Sequence, residues 1–226
     1  MLKLNNLSFK YNKENILENL SLDIQNDNQI IALFGPNGAG KTTLLNVLAG
    51  FYQKYDGELL GDYTSFLLPD SNFIPGDMTI KSCLKDFQTL YRNFDVERAS
   101  AMLDHLSLDI NKKISYYSKG MKEQLHLIFT LAQDVDIYLL DEPLAAVDPL
   151  TRDVLIELIL NYKKEGSIVL LSTHLIQDMD KLFEEVIFLN QGNVISYKTI
   201  KELREEYPGM TMDDIYKEVN RHVNTY

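Results

Sequence analysis

An α/β fold with a parallel, helix-flanked core sheet is the architecture that this sequence predicts. Three short apolar runs, at residues 30–34, 136–140 and 167–172, have the length and continuity of strands that are buried on both faces. Helical patterns lie between them, and strands that alternate with helices form parallel sheets. Residues 2–9 and 16–24, in contrast, alternate in polarity like an antiparallel hairpin. The sequence therefore predicts an N-terminal antiparallel β-subdomain beside the core sheet.

The segment between the first and second apolar runs is far longer than a single crossover helix needs. Residues 41–52 have a helical pattern, and so does the segment 79–132, in which Thr79, Asp95 and Ser118 are candidate N-caps. We therefore expect a helical subdomain at residues 70–132. It would be inserted into a catalytic core that comprises residues 1–69 and 133–226.

Cap and turn residues mark three further elements in the last third of the chain. Asp148 and Pro149 predict the N-cap and first turn of a helix that ends at Gly166. The pattern of residues 186–197 predicts a hairpin. Thr211, followed by two acidic residues, predicts the start of a final amphipathic helix.

Composition and charge exclude several classes of protein. The formal net charge of −11 argues against nonspecific binding to nucleic acid or to an anionic membrane surface, because both need a basic protein surface. The apolar runs are far shorter than the ~20 residues of a membrane-spanning helix, and the N-terminus lacks the layout of a signal peptide. Cys83 is the single cysteine, so no internal disulfide can form. These features favour a cytoplasmic protein.

A glycine-rich segment directly after the first apolar run has the pattern G-x-x-x-x-G-K-[ST] of a phosphate-binding loop. It consists of Gly35, Pro36, Asn37, Gly38, Ala39, Gly40, Lys41, Thr42 and Thr43. Glycines allow backbone N–H groups to surround phosphate oxygens, and the positive end of the following helix points at them. Lys41 would contact the β- and γ-phosphates, and the Thr42 hydroxyl would bind Mg²⁺. Because a strand precedes the loop and a helix follows it, the sequence predicts a P-loop NTPase that binds nucleotide phosphates and Mg²⁺.

Polar residues also follow the other two apolar runs. Asp141 can bind Mg²⁺ through water, and Glu142 can act as the general base that polarises the attacking water. Read alone, these could be two exposed acids at a strand end, but the phosphate-binding loop favours the catalytic interpretation. His174 follows the third run, and parallel strands bring their carboxyl ends to one edge of the sheet. We therefore expect His174 to contact the γ-phosphate.

Residues 117–121, with the sequence Tyr-Ser-Lys-Gly-Met, stand before a helix and shortly ahead of the two acids. In this order the motifs resemble the nucleotide-binding domain of ABC transporters, over nearly the whole chain. The resemblance implies that Ser118 and Gly120 bind the γ-phosphate held by another protomer's loop. It also implies that Tyr11 stacks on adenine, with an ordinary strand-end tyrosine as the alternative. Residues 145–148 would form the D-loop, and His174 would be the switch histidine.

Three positions depart from the pattern of this family. Lys119 and Met121 stand where the signature L-S-G-G-Q has glycine and glutamine. Asp70 occupies the position of a glutamine or glutamate that contacts Mg²⁺ and senses the membrane subunit. Asp70 is a candidate metal ligand. Its side chain is one methylene shorter than that of glutamate, and a water could bridge the gap to the metal.

The resemblance implies an ATP-hydrolysing subunit that powers a membrane transporter. It would work as a homodimer, or as a heterodimer with a related ATPase, peripheral on the inner face of the membrane. Transmembrane permease subunits would dock near residues 70–90. The S-K-G-M-K form of the signature resembles the ABC-2 class, and so favours export of peptides or other membrane-active compounds. Two alternatives remain open, a non-transport ABC ATPase of translation or DNA repair and a non-hydrolysing regulatory paralogue.

Overall fold

The computed structural model of the protein describes residues 2–25, 29–145, 147–174 and 182–223. For residues 222 and 223 it describes the backbone only. Nine strands and seven helices lie in this part of the chain. The strands are β1 (Leu2–Tyr11), β2 (Glu14–Ile24), β3 (Ile30–Phe34), β4 (Asp56–Leu60), β5 (Ser65–Leu68), β6 (Ile137–Asp141), β7 (Ile168–Thr173), β8 (Glu185–Asn190) and β9 (Asn193–Thr199). The helices are α1 (Lys41–Leu48), α2 (Ile80–Leu90), α3 (Val96–His105), α4 (Lys119–Leu131), α5 (Pro149–Tyr162), α6 (Ile200–Glu206) and α7 (Met212–Val223).

The strands form two sheets, which confirm the predicted α/β fold. The larger sheet has the order β5-β6-β7-β3-β8-β9, and its strands pair in parallel except for β9, which is antiparallel to β8. The smaller sheet is antiparallel, in the order β2-β1-β4. Because β3, β6 and β7 are parallel, the residues that follow them lie at one edge of the larger sheet.

Alternate residues of the buried strands pack into two hydrophobic clusters on opposite faces of the larger sheet. Ile31 and Leu33 of β3 face a cluster that includes α1 and the smaller sheet. Ile30, Ala32 and Phe34 face the other cluster, which includes residues of α2 to α7. The helices at residues 80–131 therefore share a core with the catalytic sheet, and the division of the chain into subdomains stays a prediction.

All four candidate N-caps are confirmed by hydrogen bonds. The side chains of Thr79, Asp95, Ser118 and Asp148 each accept a hydrogen bond from the backbone N–H three residues later. These bonds satisfy N–H groups that the first turn of a helix leaves without partners. None of the described helices has both the length and the apolar composition needed to cross a membrane.

Two helix ends were predicted too late. Helix α1 ends at Leu48 instead of residue 52, because Gly50, with a φ of 76°, takes the left-handed conformation that commonly ends a helix. Helix α5 ends at Tyr162, four residues before the predicted Gly166. Strands β4 and β5 and helix α6 were not predicted at all.

Candidate functional site

The glycine-rich loop connects β3 to α1 at the carboxyl edge of the larger sheet, and close backbone contacts fix its path. A Cβ atom on Gly35 would lie 2.3 Å from the carbonyl oxygen of Leu189. Gly40 has a φ of 103°, and a Cβ there would lie 2.9 Å from the Leu17 side chain. A side chain fits at neither position without movement of the backbone or the core, so both glycines are required by the geometry of this loop.

Lys41 is buried and its ammonium group lies inside the loop. Its Nζ donates hydrogen bonds to the carbonyl oxygens of Gly35, at 2.8 Å, and Pro36, at 3.3 Å. It also forms an ion pair with Glu142 at 3.3 Å. A buried ammonium needs such partners, because desolvation of an unpaired charge is unfavourable.

Asp141 and Glu142 follow β6 and are linked through Ser172 on the neighbouring strand β7. The Ser172 hydroxyl donates to Asp141 Oδ1 at 2.6 Å and accepts from the backbone N–H of Glu142 at 2.9 Å. Glu142 has a φ of 49°, in the left-handed region that few non-glycine residues adopt. Backbone strain of this kind concentrates at functional sites. Ser172 was missed by the sequence analysis, since its position at a strand end is its only signal.

His174 contacts Glu142 directly. Its Nδ1 lies 2.9 Å from Glu142 Oε2, while the other carboxylate oxygen pairs with Lys41. Two side chains, one from the start of α1 and one from the residue after β7, therefore hold the Glu142 carboxylate in one orientation. This arrangement satisfies the geometric requirement for a positioned general base, which must be oriented before it can accept a proton efficiently.

A cleft of about 510 Å³ opens over the loop. It is lined by Tyr11, Ile16, Asn37, Gly38, Ala39, Gly40, Lys41, Thr42, Thr43, Asp70 and Glu142. Tyr11 is half exposed, and its hydroxyl contacts that of Tyr52, whose ring stacks on Phe9. A polar loop at one end and an exposed aromatic ring at the other suit a ligand that carries both phosphates and a planar base.

Oxygen ligands for a divalent cation meet beside this loop. Thr42 and Asp70 line the cleft, and Asp141 is hydrogen-bonded to Ser172 next to Glu142. Among the described residues, no three His, Cys, Asp or Glu side chains are grouped so that they could hold a metal ion by themselves. Magnesium fits such a site, because it is usually bound by one or two carboxylates together with water and substrate phosphates.

Asp70 also lines a second cavity of about 360 Å³, together with Lys119, Glu123, His126 and Asp141. Burial raises the pKa of Asp70, and the nearby Asp141 and Glu142 raise it further, while Lys119 lowers it. Asp70 lies in the same cavity as Asp141 and Glu142, and their charges act on its carboxyl group.

Ser118 and Gly120 are absent from the described residues that line the cleft. The Ser118 hydroxyl caps α4 by accepting from the Met121 N–H at 3.2 Å. A Cβ atom on Gly120 would lie 2.7 Å from Thr151 Oγ1, which itself donates to Asp148. Gly120 thus has an intramolecular reason to be glycine that the sequence did not reveal. The predicted D-loop is described only in part, because residue 146 lies outside the described residues.

Comparisons with known proteins agree with these features of the site. The features are the loop between its strand and helix, the paired acids, and the signature segment at the start of α4. The family model described as ABC transporter matches residues 17–145. The chain belongs to the ABC transporter family. It is an ATP-binding subunit of this family, and the domains of such subunits are ATPases.

Relatives of this ABC subunit cover nearly its whole length. The lantibiotic transport ATP-binding protein SrtF of Streptococcus pyogenes is 29% identical, over 92% of both chains. The taurine import ATP-binding protein TauB of Jannaschia sp. is 31% identical, over 94% of both chains. A solved structure titled as the ATP binding subunit of an ABC transporter superposes with a TM-score of 0.84, at 23% identity, over 97% of this chain and 99% of the other. That structure supports the fold.

Proposed function

We propose that this ABC subunit hydrolyses MgATP in a head-to-tail dimer and thereby powers the export of peptides or other membrane-active compounds. The observation that carries the ATPase part is the orientation of the Glu142 carboxylate by Lys41 and His174, at 3.3 and 2.9 Å. Glu142 accepts a proton from the attacking water as general base. Lys41 and the N–H groups of residues 37–43 bind the phosphates, and His174 contacts the γ-phosphate.

Thr42, Asp141 and Asp70 are the residues that would hold Mg²⁺, directly or through water, and the bound ion would neutralise phosphate charge. The Lys41 ammonium also pairs with Glu142, so one side chain links the phosphate-binding loop to the proposed general base. Tyr11 supports the adenine ring by stacking.

The dimer is inferred from the separation of Ser118 and Gly120 from the cleft over the loop. Ser118 caps α4, whose N-terminus has the positive character that attracts phosphate oxygens. Both groups would serve the γ-phosphate held by another protomer, so that two ATP molecules lie between two subunits. The partner is a second copy of this chain or a related ATPase.

Complementation between two inactive variants tests the shared site. Lys41→Ala removes the phosphate-binding ammonium, and Ser118→Asp keeps a good N-cap while placing negative charge against the phosphate. Each protein alone should hydrolyse ATP poorly. Their mixture should recover up to about a quarter of the wild-type rate, because about half of the dimers are mixed and carry one intact site. The neutral cap variant Ser118→Asn is the matched control. If the mixture recovers no ATP hydrolysis, each site lies within a single chain.

The permease subunits would dock on the groove beside α2. Residues 64–66, 90–93, 133 and 135 line this groove of about 520 Å³, and its neighbouring rings Phe66 and Tyr91 lie 5.5 Å apart. Leu90 at its rim is largely exposed. Such aromatic and aliphatic side chains favour contact with a protein partner. Docking there would hold the subunit on the inner face of the membrane.

Export is favoured by the S-K-G-M-K signature and by the relative named for lantibiotic transport, whereas the relative named for taurine import shows that direction varies among similar subunits. Cells that carry Lys41→Ala should become more sensitive to membrane-active peptides, with the permease still inserted. A panel of such peptides measures this, and re-expression of the wild-type subunit is the control. Unchanged sensitivity together with loss of nutrient uptake would identify an importer.

A further inference from the structure

The C-terminal helix α7 contacts the strands that hold the phosphate-binding loop. It lies beyond residues 17–145, the part that matches the family model. Met212 and Ile215 are buried, and the ring of Tyr216 packs edge-to-face against Phe34 and Phe188, with centroids 5.0 and 5.4 Å away. The Phe34 and Phe188 rings also contact each other, so α7 closes a three-ring cluster. Such pairs stabilise beyond the area that they bury.

This cluster sits at the first residue of the loop. Phe34 is the last residue of β3, and the next residue, Gly35, supplies a carbonyl oxygen to Lys41. Phe188 is paired with Phe34 in the sheet. The following residue, Leu189, has its carbonyl against the Cα of Gly35. A shift of the Tyr216 ring would therefore be transmitted to the start of the loop through two adjacent strands.

A second contact from α7 leads to the other end of the loop. Asn220 accepts a hydrogen bond from Asn190 at 2.6 Å, at the end of β8. The turn that follows β8 contains Gly192, whose N–H donates to the Ala39 carbonyl at 2.9 Å. The same glycine lies 3.7 Å from the position of a Cβ on Gly40. Helix α7 thus reaches both ends of the loop by separate routes.

We propose that α7 positions the phosphate-binding loop for nucleotide, with Tyr216 and Asn220 as its positioning residues. Neither side chain needs to touch ATP. They would act by keeping β3 and the turn after β8 at the spacing that lets the loop N–H groups converge on phosphate. The proposal requires only the ATPase activity of the family, not the direction of transport.

The test compares ATP affinity, KM and kcat in variants of the full chain. Tyr216→Ala should weaken ATP binding and raise KM by about 3- to 30-fold, the range expected for residues that act through packed neighbours. At saturating ATP, kcat should change much less, because Lys41, Glu142 and His174 are intact. Hydrogen exchange at the amides of residues 37–43 should accelerate without nucleotide. Asn220→Ala should act in the same direction with a smaller effect.

Conservative variants distinguish positioning from general packing. The Tyr216 hydroxyl is buried without a hydrogen-bond partner among the described residues, so Tyr216→Phe should bind ATP like the wild type. Asn220→Asp keeps an acceptor for Asn190, and Lys217→Ala alters the exposed side of the helix. Lys217→Ala, a surface change, should leave KM within about twofold of the wild-type value. Asn220→Asp should do the same because the hydrogen bond from Asn190 is kept.

The proposal fails if folded Tyr216→Ala has a lower melting temperature but unchanged ATP affinity and loop exchange. If Tyr216→Ala does not fold, Asn220→Ala decides the matter, because it leaves the three packed rings in place. A normal KM and normal loop exchange in Asn220→Ala would then overturn the role of α7.

Discussion

The two halves of the nucleotide site differ in what holds them. Around the loop, Lys41 and His174 each contact Glu142, and Ser172 links Asp141 to Glu142. In the signature segment, by contrast, Ser118 caps its own helix and Gly120 packs against Thr151. One half is organised by bonds among its own side chains, and the other by the ordinary requirements of a helix start. For the second half to act on ATP, as we propose, another molecule must bring the phosphate to it.

The largest loss of ATPase activity should come from a substitution in the half of the site around the loop. Glu142→Gln keeps the shape of the side chain but cannot accept a proton, so kcat should fall by about 10²- to 10⁴-fold while ATP affinity is preserved. Steady-state hydrolysis and binding of a fluorescent ATP analogue measure the two quantities. The same variant should dimerise when ATP is added, which light scattering can detect. Hydrolysis at the wild-type rate would remove Glu142 from the role of base.

The stability of the protein should depend on pH through His126 of α4, which lines the second cavity. Burial lowers the pKa of His126 to about 4, from an ordinary value near 6.5. Between pH 6.5 and pH 4, His126 is therefore protonated in the unfolded chain but neutral in the folded chain. The free energy of unfolding decreases as the pH falls through this range. His126→Leu should escape this loss.

Urea unfolding at several pH values checks the His126 prediction. The free energy of unfolding of His126→Leu minus that of the wild type should grow by about 2 kcal/mol between pH 7 and pH 4.5. At pH 7 the two proteins should be similar, since Nδ1 of His126 is buried without a hydrogen-bond partner among the described residues and an apolar group can replace it. A difference that does not change with pH would contradict the buried neutral state of His126.

A substitution at Gly120 tests the signature segment without altering the phosphate-binding loop. Gly120→Ala should reduce the free energy of unfolding by about 1–3 kcal/mol, the cost of overpacking, because Thr151 is branched and held by Asp148. Thr151→Ala in the same chain should recover part of that loss. ATP affinity of the monomer should stay unchanged in both proteins. A Gly120→Ala protein as stable as the wild type would show that Thr151 moves aside freely.

A substitution of Asp70 should have the smallest effect on ATP binding by the isolated subunit. Asp70→Gln should leave ATP affinity within about threefold, because Lys41 and Asp141 remain as the main phosphate and metal contacts. Its consequence should appear in transport per ATP hydrolysed, measured with the permease in vesicles. Loss of nucleotide binding in the soluble subunit would make Asp70 a primary metal ligand.

The sequence predicts the organised half well, since each part depends on local patterns. The loop is a contiguous motif, and the parallel strands bring Glu142 and His174 to its edge. Strand β4 was missed because its residues are mostly exposed and lack alternation, and β5 because it has only four residues. Helix α6 had a signal in the capping box of Thr199 and Glu202.

Residues whose roles depend on distant neighbours could not be predicted. Ser172 lies 31 positions from Asp141, and Thr151 also lies 31 positions from Gly120. Serine and threonine occur in every kind of environment, and neither position carries a motif. Their roles follow from the packing of β7 beside β6 and of α5 beside α4.

The turn after β8 also restricts how the chain can change in length. Hairpin turns are commonly where insertions and fused tags are tolerated. At Gly192, however, a single Cβ would lie 2.3 Å from the carbonyl of Ile16, and the Gly192 N–H holds the Ala39 carbonyl. The turn before β7 is different, because a Cβ on Gly166 would meet no atom of the described residues within 4 Å, although the φ of 77° at Gly166 itself favours glycine. A fluorescent reporter therefore belongs near Gly166, and homologous chains should vary in length there rather than at Gly192.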